Sequence, residues 1–331
     1  MTQPEAAGPA HTEASVTGES AGSWSRPSAA SPLLILAFDH RASLARDLYG
    51  LKRTPTPAEA ARISADKMLV YQGLLDALDT LPPGVQPGVL FDEEYGAKVA
   101  AAAHIDDRVR LATPIEASGH DWFTFAYPDG WQAHAMKYHP DFVKVLVRDN
   151  PGLSPERRRG QTRRLAEVSA WAERNDRPLI LELLVPATPE DTRAVEGNTD
   201  RYDGELRPRL TVRVITDLQD GGVEPAIWKV EGLETAPAAQ EVAATARREG
   251  RTADLIVLGR NAPHDRLDHW LTIAAPVPGF VGFAIGRSIW LSALDAHLHH
   301  GAAGEDVRQA VKSTYLEHAW WYVHARDRLL A

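Results

Sequence analysis

The chain contains no cysteine, which excludes disulfides, iron–sulfur clusters, thiol nucleophiles and thiolate zinc sites together. Any chemistry falls to Lys, Asp, Glu, His, Arg or Tyr. Long hydrophobic runs are also missing: apolar stretches meet a charge or glycine after about eight residues, against the roughly 20 that a membrane helix needs. A membrane is therefore not an expected partner. Nor is there an excess of positive charge, since 36 Lys and Arg face 45 Asp and Glu, and a net charge of −9 repels polyanions. Nucleic acid is not expected either. Basic residues are scattered apart from Arg157, Arg158 and Arg159, which read as the solvated face of a helix opening at Ser154-Pro155. Large apolar residues are almost absent from residues 1 to about 30, where Ala, Ser, Gly, Pro and Thr dominate. Such a stretch cannot offset its ordering entropy and is expected to be a disordered tail. It has no apolar core behind a basic start, so a secretory signal is not expected and the cytoplasm is the expected location.

From residue 33 onward, short apolar runs rich in β-branched residues alternate with longer amphipathic stretches, the pattern of a parallel sheet built from βα units. The runs are Leu33–Phe38, Gly88–Phe91, Val109–Ile115, Phe142–Val147, Leu179–Val185, Ile227–Val230, Leu255–Leu258 and Phe280–Ile285. Eight runs are the number that closes a (β/α)8 barrel, so residues 31–331 are expected to form one α/β TIM-barrel domain. Thr56-Pro57-Ala58-Glu59 reads as a capping box with proline in the first turn, and further helices are expected from near Ser154, Pro208, Pro237 and Pro263. Two more, Ser288–His300 and Glu305–Leu329, are expected to cover the outside. Segments Gly119–Gly130 and Thr188–Leu206 are long enough to act as lids.

Active sites of this fold lie at the C-terminal ends of the strands, and nearly every strand here ends in charge. In order these residues are Asp39, His40 and Arg41; Asp92, Glu93 and Glu94; Glu116; Lys144 and Arg148; Glu182; Lys229 and Glu231; Arg260; and Arg287. Lys144, Glu182 and Lys229 stand inside apolar strands, where an ionised group needs a polar barrel mouth and a partner. Burial and a neighbouring ammonium lower a lysine pKa and supply the amine that attacks a ketone, while a carboxylate moves protons. The same pattern also suits a buried ion-pair network that only stabilises the barrel. Gly286-Arg287 before a helix, with Gly259-Arg260 as a second element, reads as a phosphate site. His40 is the one histidine directly at a strand end, whereas His297, His299 and His300 read as surface positions on the last helices, so a zinc site is not expected.

Several segments resemble the barrel domain that forms the C-terminal half of bacterial inositol-catabolic proteins carrying a sugar kinase in front, known as 2-deoxy-5-keto-D-gluconate 6-phosphate aldolase. The resemblance runs from about residue 33 to 328. It is carried by Phe38-Asp39-His40-Arg41, Asp92-Glu93-Glu94-Tyr95-Gly96, Lys144-Val145-Leu146-Val147-Arg148 and Glu182-Leu183-Leu184-Val185-Pro186. Glu205-Leu206-Arg207-Pro208-Arg209, Trp228-Lys229-Val230-Glu231-Gly232-Leu233, Leu258-Gly259-Arg260 and Gly286-Arg287 complete it. A more distant similarity, to class I tagatose-bisphosphate and sulfofructose-phosphate aldolases, implies roles. It makes Lys229 the Schiff-base lysine, Glu182 a proton-transfer residue and Lys144 a neighbour that tunes pKa or holds a substrate oxygen. It makes Arg287 the phosphate ligand, with Gly286, Arg260 and Gly259 around it, and sets Asp39, Arg41, Asp92, Glu94, Arg148 and Glu231 about the rest of the substrate. No cofactor or metal is expected on this reading, and a small sugar phosphate is the expected partner. A metal-dependent lyase or isomerase using Asp39, Asp92 and Glu94, and a non-catalytic sugar-phosphate-binding protein, are the alternatives. A homo-oligomer is possible, with Trp320, Trp321 and Tyr322 as a candidate apolar contact and core packing as their other reading.

Overall fold

Eight strands follow one another around a closed parallel barrel in sequence order. They are β1 (Leu33–Ala37), β2 (Gln86–Leu90), β3 (Arg110–Pro114), β4 (Phe142–Arg148), β5 (Leu179–Leu184), β6 (Ile227–Glu231), β7 (Asp254–Leu258) and β8 (Phe280–Ile285). The computed structural model describes residues 25–327. All eight expected strands are present, with ends that differ by a residue or two. Alternation sorts their side chains: Ile227 and Lys229 point into the barrel of β6, while Trp228 and Val230 join the shell between strands and helices. Inside, Leu33, Ile35, Phe142, Ile180, Ile227 and Ile256 belong to one buried apolar layer that fills the lower barrel. Polar groups pointing inward are thereby left to the two ends.

The helices are set by their first turns. Thr56 accepts from Glu59 N while Glu59 reaches back to the Thr56 backbone, and helix Pro57–Ala77 follows. Ser154 caps Pro155–Arg174, and the expected last helices appear as Arg287–His299 and Gly304–Asp327, the expected end at Leu329 lying outside the described residues. No described helix is long and apolar enough to cross a membrane. On the last helix the aromatic triplet divides. Tyr322 is buried, whereas Trp320 and Trp321 are about two-fifths exposed, and Trp321 Nε1 donates to Asp268 O at 3.0 Å.

Both segments expected as lids carry structure of their own. Glu116 and Phe125 form an antiparallel bridge, and Phe123 is buried with its amide on Gln161 Oε1 at 2.8 Å. Thr188 caps a short helix, Pro189–Ala194, and a π-helical turn at Tyr202–Leu206 runs directly into helix Arg207–Asp220. Residues 1–24 of the expected tail lie outside the described residues. Residues 25–30 sit against the N-terminal face of the barrel, where Arg26 donates to Asp254 Oδ2 at 2.9 Å and Arg326 to Ala29 O at 2.5 Å.

Closure of the barrel depends on the β1–β8 seam, where Leu33 pairs with Gly282. Gly282 has φ 149°, and a Cβ there would lie 1.8 Å from Leu33 O. We therefore expect Gly282→Ala to destabilise the fold by about 3 kcal/mol or more through overpacking and backbone strain. A urea midpoint equal to that of the unsubstituted protein would contradict this.

Candidate active site

Because side chains alternate along each strand, Asp39, Glu116, Lys144, Glu182 and Lys229 all emerge on the inner side at the C-terminal mouth. Register then brings them together. Glu182 lies opposite Lys229 across β5–β6, and Pro114 lies opposite Lys144 across β3–β4. Lys144 Nζ contacts Asp39 Oδ2 at 2.9 Å, Glu116 Oε1 at 2.6 Å and Glu182 Oε2 at 2.9 Å. Lys229 Nζ contacts the same Glu182 oxygen at 3.0 Å, its one ion-pair partner among the described residues. All five side chains are nearly withdrawn from solvent, so each charge needs its partner to remain ionised.

Pairing distinguishes the two lysines, three carboxylates on Lys144 against one on Lys229. Burial disfavours the Lys144 ammonium, but Asp39, Glu116 and Glu182 outweigh it and hold its pKa well above the ordinary lysine value. Its three N–H donors meet three carboxylates, so it stays a cation. Burial pushes the Asp39 and Glu182 carboxyls up, and the lysine charges outweigh that and leave both low. For Glu116 burial wins, and Lys144 and Arg41 only partly offset it, so its pKa is raised.

Around this cluster lies a cavity of about 370 Å3 whose walls include Arg41, Arg148, Glu182, Lys229 and Arg287. Arg41 donates to Glu116 O at 2.7 Å and Arg148 to His120 O at 3.0 Å. Arg287 is half-buried and, among the described residues, makes no hydrogen bond or ion pair. It opens helix Arg287–His299 behind Gly286, where a Cβ would lie 2.4 Å from Ala37 O. That close approach requires glycine and seats the helix N-terminus at the rim of the cavity. His40 lines the same wall, its ring edge-on to Trp290 at 5.4 Å between centroids. Burial above all lowers its pKa to about 4, with Asp39 opposing and Arg287 and Lys67 adding to the shift, so the ring is neutral at neutral pH.

Four of the residues expected around the substrate stand elsewhere or are committed to other partners. Asp92 is fully buried, caps helix Glu93–Ile105 through Tyr95 N and is ion-paired to Lys67, because a carboxylate at that depth needs a cation beside it. Glu94 is exposed, in a neighbouring groove. Glu231 accepts from Val185 N at 2.9 Å and pairs with Arg207 and Arg260. Arg260 also pairs with Asp203 at 2.9 Å; although it and Gly259 border the cavity, two carboxylates already hold its guanidinium. The carboxylates considered as a metal set do not converge: Asp39 is on Lys144, Asp92 on Lys67, and Glu94 faces outward. Among the described residues no three His, Asp or Glu side chains are grouped to hold a metal ion.

Two contributors have no role assigned from the sequence. Glu116 stood among the strand-end charges without a role, yet it is the closest partner of Lys144. Lys67 comes from helix Pro57–Ala77 and donates to Phe38 O at 2.7 Å and His40 O at 2.9 Å, fixing the turn that carries Asp39 and His40. Its signal was a lysine in an apolar helical stripe, four residues from both Ile63 and Tyr71.

Fold and cluster together define a TIM barrel with a paired-lysine centre in its mouth. The chain belongs to the family described as "Uncharacterized protein conserved in bacteria (DUF2090)", whose model matches residues 23–324. No curated protein matches it. Among solved structures it is similar to fructose-bisphosphate aldolase from Plasmodium falciparum, with 15% identity, TM-score 0.55 and coverage of 88% of this chain and 89% of that one. It is also similar to Cgl0159 from Corynebacterium glutamicum, with 19% identity, TM-score 0.51 and 86% of each chain covered. At such identities the likeness is one of fold.

The opposite shifts of the carboxylates predict opposite effects on stability. Asp39 has a lowered folded pKa, so its contribution is present above the ordinary carboxylate range and lost only as pH falls through the lowered value. Glu116 has a raised folded pKa, so its ionised form costs stability at neutral pH and that cost is relieved on acidification. Asp39→Asn should lower the melting temperature at about pH 8, while Glu116→Gln should raise it by an amount that shrinks toward about pH 4. Thermal melts across that range test the pair, and a loss of stability for Glu116→Gln at the alkaline end would contradict the assignment.

Proposed function

We propose that the protein is a class I aldolase, cleaving a phosphorylated keto-sugar or keto-sugar acid through a Schiff base on Lys229. The observation that carries this reading is the unequal pairing of the two lysines. Lys144 is held by three carboxylates and stays an ammonium, whereas Lys229 has Glu182 alone and reaches the cavity. Lys229 passes a proton to Glu182 and its amine attacks the ketone; Glu182 then returns a proton as water leaves to give the iminium. The bond between the carbons α and β to that iminium breaks as the β-hydroxyl loses its proton, and the electron pair moves into the enamine. Protonation and hydrolysis release the ketone product. Lys144 keeps a fixed positive charge beside Glu182 beneath the cavity, and Arg287 with the helix N-terminus behind it takes the phosphate.

The barrel shared with the Plasmodium fructose-bisphosphate aldolase is compatible with this chemistry. The sequence resemblance selects 2-deoxy-5-keto-D-gluconate 6-phosphate as the substrate, giving dihydroxyacetone phosphate and malonate semialdehyde. Tagatose-bisphosphate and sulfosugar phosphates are the alternatives within the same chemistry.

Incubation with dihydroxyacetone phosphate followed by borohydride is expected to leave a reduced adduct on Lys229 and none on Lys144, read by peptide mass spectrometry. Lys229→Ala should abolish adduct and turnover while leaving the melting transition in place; an adduct on Lys144 would reverse the assignment. Arg287→Ala should raise the half-saturating ketone phosphate concentration by about ten- to a hundredfold, the worth of hydrogen bonds to a charged group.

A further inference from the structure

We propose that His40 contacts the substrate's phosphoryl group: its imidazole, Arg287 and the first amides of helix Arg287–His299 form one cradle. The inference rests on the aldolase reading for the identity of the ligand. Its basis is geometric. The ring lies over Gly286, the residue preceding that helix, and a Cβ at Gly286 would come within 3.1 Å of His40 Cε1. A polar ring thus sits at the same helix N-terminus as Arg287, whose guanidinium makes no hydrogen bond or ion pair among the described residues.

Neither ring nitrogen of His40 has a hydrogen-bond partner among the described residues. Nδ1 is buried, and Asp39 Oδ1 lies 3.9 Å away, beyond hydrogen-bond reach. The ring's place is set instead by packing against Trp290, whose indole N–H is already given to Ala37 O at 2.9 Å. Beneath it, Lys67 donates to the His40 carbonyl and pins the backbone. With Nδ1 enclosed, Nε2 of this firmly fixed ring is the nitrogen left to meet a ligand. Burial keeps the imidazole uncharged, so one nitrogen carries a hydrogen for donation to a phosphoryl oxygen. Glu182, in contact with both lysines, keeps the proton transfers, and His40 acts on the end of the substrate away from the breaking bond.

The test compares the unsubstituted protein with His40→Phe, which preserves the edge-on packing against Trp290, and His40→Gln, which preserves a side-chain N–H. Borohydride trapping at Lys229 is titrated with dihydroxyacetone phosphate, with inorganic phosphate as competitor, and phosphate binding is followed separately by phosphorus NMR. His40→Phe should raise both the half-saturating ketone phosphate concentration and the phosphate dissociation constant about tenfold, the worth of one hydrogen bond to a charged group. The maximal adduct yield should be unchanged, and His40→Gln should recover part of the loss. Unaltered phosphate binding in His40→Phe overturns the proposal, whether or not the ketone phosphate titration moves. If the unsubstituted protein forms no adduct yet binds phosphate in a His40-dependent way, the Schiff-base reading falls and the cradle stands.

Discussion

One carboxylate oxygen, Glu182 Oε2, lies within 3.0 Å of two lysine nitrogens, and the mouth of the barrel is organised around that sharing. Register makes it possible, because Glu182 pairs with Leu146 on β4 and with Lys229 on β6. A slip of one residue in any of these strands would turn its charge outward into the apolar shell. Barrel closure at the β1–β8 seam protects the register, and it also brings Asp39 around to Lys144 from the opposite side of the sheet order. Fold and site are thus held by the same pairings.

The strands were legible because inward and outward positions differ so sharply in polarity. In β6, Ile227-Trp228-Lys229-Val230 interrupts an apolar run with a single lysine, and only an inward, mouth-facing position tolerates it. The same logic found Lys144 and Glu182, while Arg287 was read from the Gly-Arg pair before a helix. It failed where a charge is neutralised by a partner far along the chain. Asp92 ends its strand as a site residue would, but its cation arrives from helix Pro57–Ala77, and nothing in the spacing of Asp92 announces Lys67. Segment Thr188–Leu206 was hidden for a different reason. Its caps and turns use polar residues in a polar run, and its order comes from contacts such as Tyr202 Oη on Val185 O at 2.8 Å, which no periodicity records.

Two charge clusters share the top of the barrel, and residue type alone does not tell them apart. Asp203, Arg207, Glu231, Arg260 and Arg266 form one, with Asp203 touching three arginines. Helix Arg207–Asp220, β6, the turn after β7 and helix His264–Ala274 all supply members, so this cluster ties the elements of that side together. Asp203 and Arg207 are almost wholly buried, and breaking such a pair would leave an uncompensated charge. Stabilisation accounts for the arrangement.

The cluster around Lys144 is the opposite case, and the contrast identifies the site better than charge density does. Its interior is saturated, with three carboxylates on one ammonium, yet its border is left incomplete. Lys229 has one partner, Arg287 none among the described residues, and His40 Nε2 makes no hydrogen bond among them. Such vacancies cost stability in the empty protein, and all three residues line the same cavity. On the proposed aldolase reading, a ligand that carries a ketone and a phosphate on adjacent carbons would meet these groups. Saturated pairing holds the geometry fixed, and the incomplete pairing beside it is what the proposed chemistry would use.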